Sequence, residues 1–182
     1  MIVQKIAGKI LFDWMGYSDN VTVEIPRKYV IALVPHTSNW DFIIGILYSR
    51  ALGFRCNFMM KKFWFFWPMG YLMRYLGGVP VTRNKQMSMT DQLAEAARDR
   101  KSYHLCITPE GTRKANAEWK RGFYYIAMKA GIPIMLYALD YEKKLISCTK
   151  LVVPNGNYEE QLSEIKDYYK DIKGKHPEKF AV

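Results

Sequence analysis

Tyr29-Val30-Ile31-Ala32-Leu33-Val34-Pro35-His36-Thr37-Ser38-Asn39-Trp40-Asp41 is the stretch on which the reading of this chain turns. Its first six residues are apolar and rich in β-branching, the pattern of a short buried strand. Phe42 to Leu52 then reads as a buried helix. The His and the Asp therefore flank a strand-to-helix turn. On one continuous helix, residues five apart would point roughly 140° from each other, at about 3.6 residues per turn. His36 and Asp41 meet only if the chain turns between them and the helix starts near Asn39 or Asp41. Ser38, Asn39 and Asp41 are all good N-cap types, so one reading is a capping cluster with a His before it. The other is a proton-transfer pair. Imidazole moves protons near neutral pH, and a carboxylate beside it fixes its tautomer and stabilises its charged form.

Outward from this turn, strands alternate with helices. Strands are predicted at Val21–Ile25, Asn57–Met60, Val79–Thr82 and Tyr103–Thr108, with a pair at Ile132–Leu139 and Leu145–Val153. Pro80 marks its strand as an edge or a bulge. Helices are predicted at Thr90–Arg100, capped by Ser88 or Thr90, at Gly122–Ala130, ended by Gly131, and at Tyr158–Lys173. The expectation is an α/β fold, a single-domain sandwich with a mixed, largely parallel sheet flanked by helices. A length of 182 residues suits one domain spanning 1–182. Apolar positions at Ile2, Val3, Ile6, Ile10, Leu11 and Trp14, opposite Lys5 and Lys9, make residues 1–17 a candidate interfacial amphipathic helix. Packing of that helix on the domain is the alternative.

A formal net charge of +10 calls for an anionic partner: lipid surface, phosphorylated substrate, acidic carrier protein or nucleic acid. Cys56, Cys106 and Cys148 are widely spaced and odd in number, which favours reduced thiols in the cytosol. No signal peptide is expected. No apolar run reaches the ~20 residues that span a bilayer; the longest, Phe63 to Met73, is broken by Pro68 and Gly70.

Two further stretches carry chemistry. Pro109-Glu110-Gly111-Thr112-Arg113 follows a strand, where α/β proteins gather ligands. Gly111 lets backbone approach a ligand, Thr112 offers a hydroxyl, and Arg113 a planar fork suited to phosphate. Glu110 would hold a substrate hydroxyl or orient an Arg. The plain alternative is a turn with a surface salt bridge. Arg83 closes Gly77-Gly78-Val79-Pro80-Val81-Thr82 and would reach the same pocket.

In this order and spacing, these residues resemble the glycerolipid acyltransferase family, of the 1-acylglycerol-3-phosphate O-acyltransferase type in its short bacterial form. The family's Asn-His-x4-Asp is matched by Pro35-His36 through Asp41, and its Gly-led strand ending in Arg by Gly77 to Arg83. Its Phe-Pro-Glu-Gly-Thr-Arg is matched by Thr108 to Arg113, and its Val-Pro-Ile segment by Ile132-Pro133-Ile134. Lys61, Pro68, Gly70 and Gly77 also resemble the family pattern. The likeness spans roughly 28–155, the motif-bearing core. Pro35, Pro80, Thr108 and Leu136 depart from it without removing a charged group.

The resemblance implies an O-acyltransferase. It would move a fatty acyl group from acyl-CoA or acyl carrier protein to the hydroxyl of a lysophospholipid such as 1-acylglycerol-3-phosphate. His36 would be the general base and Asp41 its partner; Arg83, Glu110, Gly111, Thr112 and Arg113 would bind the acceptor head group. No cofactor and no metal is expected beyond the acyl donor itself. The chain has no Gly-x-Ser-x-Gly elbow, so the acceptor would attack directly. Phe58 to Leu76 is the expected wall of an acyl groove or a membrane contact. The expected location is cytoplasmic, peripheral to the inner face of an anionic membrane.

Three alternatives stay open. One is acyl transfer to another polar lipid alcohol, such as a lyso-aminolipid. Another is a non-enzymatic module that binds anionic lipid or nucleic acid, although the basic residues are scattered and no nucleic-acid motif is present. The third is a metal hydrolase using His104, Cys106 and His36, against which stands a simple core role for His104 and Cys106. His176 reads as a solvated His in a charged tail.

Overall fold

The apolar run before His36 becomes β2 (Lys28–Val34), held between two parallel neighbours, β5 (Tyr103–Ile107) and β6 (Ile134–Asp140). The computed structural model describes residues 2–81 and 88–182. A strand paired on both edges and covered on both faces takes apolar side chains throughout, so the run does not alternate with polar residues. Its side chains instead divide between two cores. Val30, Ala32 and Val34 pack with α4 (Met89–Arg98), α5 (Gly122–Ala130) and α6 (Tyr158–Tyr169). Tyr29 and Ile31 pack with α2 (Trp40–Ala51) and with Leu11 of the N-terminal helix. That helix is α1 (Ile2–Gly8), continued as π-helix over Lys9–Trp14.

The sheet runs β1 (Ser18–Val21), β7 (Leu145–Cys148), β6, β2, β5, β3 (Asn57–Lys61), β4 (Gly78–Val81), with β8 (Leu151–Val152) against β6. β7 and β8 run antiparallel to β6; the other pairs are parallel. The sheet is thus mixed and largely parallel, with helices on both faces. β4 lies at its edge, where Pro80 forfeits no ladder bond. A short 3₁₀ turn (Lys62–Phe65) and α3 (Met69–Leu76) connect β3 to β4. No helix among the described residues is long and apolar enough to cross a membrane.

Two sequence expectations are corrected, and a third is divided. The strand predicted at Val21–Ile25 lies earlier, at Ser18–Val21, parallel to β7. Its side chains are mostly exposed, so a solvated edge strand left no apolar alternation to read. The last helix ends at Tyr169, not Lys173. The chain leaves the helix so that the Lys173 carbonyl can accept from the Tyr141 N–H at 2.8 Å. The N-terminal helix divides its apolar face: Ala7 and Leu11 are buried, whereas Ile2, Val3, Ile6 and Trp14 remain exposed. Packing on the domain and an unpartnered apolar surface therefore coexist there.

The β6–β7 connection has a local cause. Asp140, buried at the end of β6, accepts from the Glu142 and Lys143 N–H groups, each at 3.0 Å. This side-chain turn reverses the chain and leaves Tyr141 at the carboxyl end of the sheet. α6 is fixed to the central strand by the Tyr169 hydroxyl, which donates to the Ala32 carbonyl at 2.7 Å.

Candidate active site

β2 and β5 are parallel neighbours in register from Lys28↔Tyr103 to Ala32↔Ile107. The loops that follow them must therefore emerge side by side. One carries His36 to Asp41, the other Thr108 to Arg113.

Asp41 lies in the first turn of α2 and is fully buried. Its Oδ2 accepts from the Thr37 N–H and the Ser38 N–H, both at 2.9 Å, and faces His36 Nδ1 at 3.1 Å. Its Oδ1 accepts from the Tyr141 hydroxyl at 2.6 Å. The turn therefore brings imidazole and carboxylate together, whereas Asn39, at the N-cap of α2, makes no side-chain capping bond. The carboxylate reaches back from the first turn of α2 to two N–H groups of the loop before it, and the same oxygen meets the imidazole. Burial first, and the bond to Asp41 next, push the Tyr141 phenol up, so it stays a donor.

Glu110 does not sit where the sequence put it. It is 2% exposed, and both its oxygens accept from the His36 backbone N–H, at 3.1 and 2.9 Å. Arg113 donates instead to Asn39 Oδ1. Burial pushes Glu110 up to about 7, against the opposing effect of the His36 N–H bond. Gly111 follows in the left-handed region, φ 66°, its N–H bonded to the Thr108 carbonyl at 3.0 Å. A Cβ there would lie 3.0 Å from Lys120 Cγ, so the tight turn needs glycine twice over.

His36, with its side chain 20% exposed, opens onto a cavity of ≈ 370 Å³. Its walls are chiefly apolar: Leu33, Phe42, Ile46, Phe58, Met59 and Ile107. Among the described residues, only the start of the predicted groove wall, Phe58 and Met59, contributes. Phe63, Trp67 and Tyr71 lie on the surface, 76%, 81% and 69% exposed. The other wall comes from α2, whose Phe42, Gly45 and Ile46 were read as plain helix core; their i, i+3, i+4 spacing just after Asp41 was the available signal. Cys106 also lines this cavity.

Thr112 and Arg113 line a separate polar cleft together with Thr37, Ser38, Asn39 and Lys114. His176 lines it too, so the reading of a merely solvated side chain is revised. Arg83 lies outside the described residues. His104 stacks on the Tyr29 ring at 4.7 Å and meets Phe54 edge-on, which fits the core role weighed for it. The N–H of His36 goes to Glu110, those of Thr37 and Ser38 to Asp41, and that of Trp40 to Ser38 Oγ at 3.2 Å.

Tyr141 is a further site residue that the sequence reading missed, 100 positions from its partner. Its one legible signal is position: it follows β6 as His36 follows β2, at the sheet end where ligands gather.

Comparison with known proteins adds two findings. A family model described as Acyltransferase matches residues 19–138, which takes in both loops. No curated protein gives a significant match. Among solved structures, the 1-acyl-sn-glycerophosphate (LPA) acyltransferase PlsC from Thermotoga maritima is similar in fold. Its TM-score is 0.65 at 18% identity, over 93% of this chain and 76% of that one.

Proposed function

The chain belongs to the acyltransferase family, and from that premise we propose that it transfers a fatty acyl group from an acyl thioester to the hydroxyl of a lysophospholipid of the 1-acylglycerol-3-phosphate kind. The observation that carries this reading is the His36–Asp41 pair at 3.1 Å, on the wall of an apolar cavity. With Nδ1 turned to Asp41, Nε2 is the nitrogen that takes a proton. The acceptor oxygen attacks the thioester carbonyl carbon as His36 removes the hydroxyl proton. Asp41 stabilises the imidazolium. The tetrahedral intermediate collapses, the carbon–sulfur bond breaks, and the proton passes to the departing thiolate. The acyl chain lies along Leu33, Phe42, Ile46 and Phe58.

Glu110 and Tyr141 act on this pair from behind, one through the His36 backbone and one through the Asp41 carboxylate. Both are positioning residues. Arg113 and Thr112 bind the acceptor's anionic head group beside the turn, with Arg83 in the same role. The donor is acyl-CoA or acyl carrier protein.

The enzyme works at an anionic membrane surface on the cytoplasmic side. Exposed Phe63, Trp67, Tyr71 and Leu72 support this, since such a run of large apolar side chains on a surface marks an interaction site. A net charge of +10 supplies attraction to anionic lipid.

The test is a panel of labelled acyl-CoA and acyl carrier protein donors with lysolipid acceptors, read by lipid chromatography. A new diacyl product with wild type, absent with His36→Ala, is expected. A folded His36→Ala protein that turns over like wild type would overturn the assignment of the base.

A further inference from the structure

Neighbouring residues of the two site loops face different spaces. His36, Asp41, Thr108 and Gly111 line the apolar cavity. Thr37, Ser38, Asn39, Thr112 and Arg113 line the polar cleft of ≈ 460 Å³. The opposite wall of that cleft is His176 and Lys179, which lie beyond the stretch 19–138 matched by the family model. It is built by the segment after α6.

That segment is seated against the turn. Gly174 is buried, and a Cβ there would lie 2.8 Å from Thr37 Oγ1. The His176 N–H donates to the same Thr37 oxygen at 3.2 Å. Lys175 Nζ lies 4.8 Å over the Trp40 ring. The ends of the segment are tied by the Lys173 carbonyl to Tyr141 and by the Ala181 carbonyl to Trp119 Nε1, at 2.8 and 3.4 Å. Arg113, Lys114, His176 and Lys179 thus converge on one space whose other walls carry hydroxyls and an amide. Glu178, with Oε1 3.8 Å from His176 Nδ1, is the acidic neighbour; one carboxylate leaves the cationic groups in excess.

We propose that the C-terminal segment closes a phosphate subsite, in which His176 and Lys179 bind a phosphate group together with Arg113 and Lys114. Guanidinium and ammonium groups strengthen hydrogen bonds to phosphate oxygens through charge. On the acyl-transfer reading above, on which only the identity of the ligand rests, that phosphate belongs to the acceptor head group or to the phosphopantetheine arm of the donor.

Two measurements on the full chain test it. In the first, inorganic phosphate and glycerol 3-phosphate are titrated calorimetrically into wild type, the double variant His176→Gln/Lys179→Ala, and Lys5→Ala as a charge control on α1. The double variant binds about tenfold more weakly, as expected for lost charge-assisted contacts, and Lys5→Ala binds like wild type. Equal affinity in the double variant, or equal weakening by Lys5→Ala, overturns the subsite. In the second, KM is compared for lysophosphatidate against monoacylglycerol, and for acyl-CoA against an acyl N-acetylcysteamine thioester. A selectivity loss confined to the first pair assigns the phosphate to the acceptor; one confined to the second assigns it to the donor. Phosphate binding lost in the double variant, with no acyl transfer by wild type, refutes the acyl-transfer reading and leaves the subsite standing.

Discussion

The site turn and the Lys62–Leu76 segment invert the usual rule of residue placement in opposite ways. At the turn, the carboxylates of Asp41 and Glu110 are buried, although acidic groups are almost never fully buried unless paired. Each has its partners: the Thr37, Ser38 and Tyr141 donors for Asp41, the His36 N–H for Glu110. In the segment, Phe63, Trp67 and Tyr71 stand in solvent with little to cover them. Folding gains from neither arrangement by itself. A buried carboxylate loses hydration, and an exposed ring contributes no hydrophobic stabilisation. Such departures are expected where a surface or a site serves function. The difference is that the turn is rigid by hydrogen bonding, whereas the segment presents area.

The largest expected effect breaks the turn at its reactive group. His36→Ala lowers kcat by about 10²–10⁴-fold, the range for a general base. The protein stays folded, because the buried Asp41 keeps its Thr37, Ser38 and Tyr141 donors.

Glu110→Gln sharpens the burial argument through pH. The folded-state value of Glu110 is raised to about 7 from an ordinary 4.5. The folded protein therefore holds the proton more tightly than the unfolded chain. Stability from this group is full below about pH 4.5 and is lost as pH rises through about 7. Replacing the acid removes that dependence. Between pH 4 and pH 8, denaturant titrations show wild type losing up to ~3 kcal/mol relative to Glu110→Gln. Parallel stability curves for the two proteins would contradict the buried acid.

Tyr141→Phe tests whether the carboxylate is held or merely enclosed. It removes the 2.6 Å donor to Asp41 Oδ1 and little else. A kcat about tenfold lower with KM nearly unchanged is expected, from a hydrogen bond to a charged group worth ~1.5 kcal/mol. The pH–rate profile shifts with it. A purely structural role would lower the melting temperature and leave that profile in place.

The smallest effect lies in the exposed segment. Trp67→Ala weakens sedimentation with anionic vesicles several-fold, as a ring inserted only part-way into the interface gains a fraction of the roughly 1.5–3 kcal/mol of full burial, and leaves the melt unchanged. Vesicle binding that ignores Trp67→Ala and Phe63→Ala at every salt concentration would separate the segment from the membrane.

Much of this molecule was legible along the chain. The apolar run at Tyr29–Val34 forced a central strand, and Gly131 ended its helix in the left-handed conformation, φ 66°. The five-residue spacing of His36 and Asp41 already required a turn if the two were to meet, and they do so at 3.1 Å. These are local matters: periodicity, backbone permissiveness and capping act over a few residues. The folded chain alone decided that Glu110 would grip the His36 backbone across 74 positions and Tyr141 the Asp41 carboxylate across 100. It also decided that α2, with Phe58 and Met59, would wall the cavity while Phe63, Trp67, Tyr71 and Tyr75 faced outward, and that His176 would return to the turn. Such contacts follow from which strands lie side by side in the sheet, and no short-range pattern encodes that order.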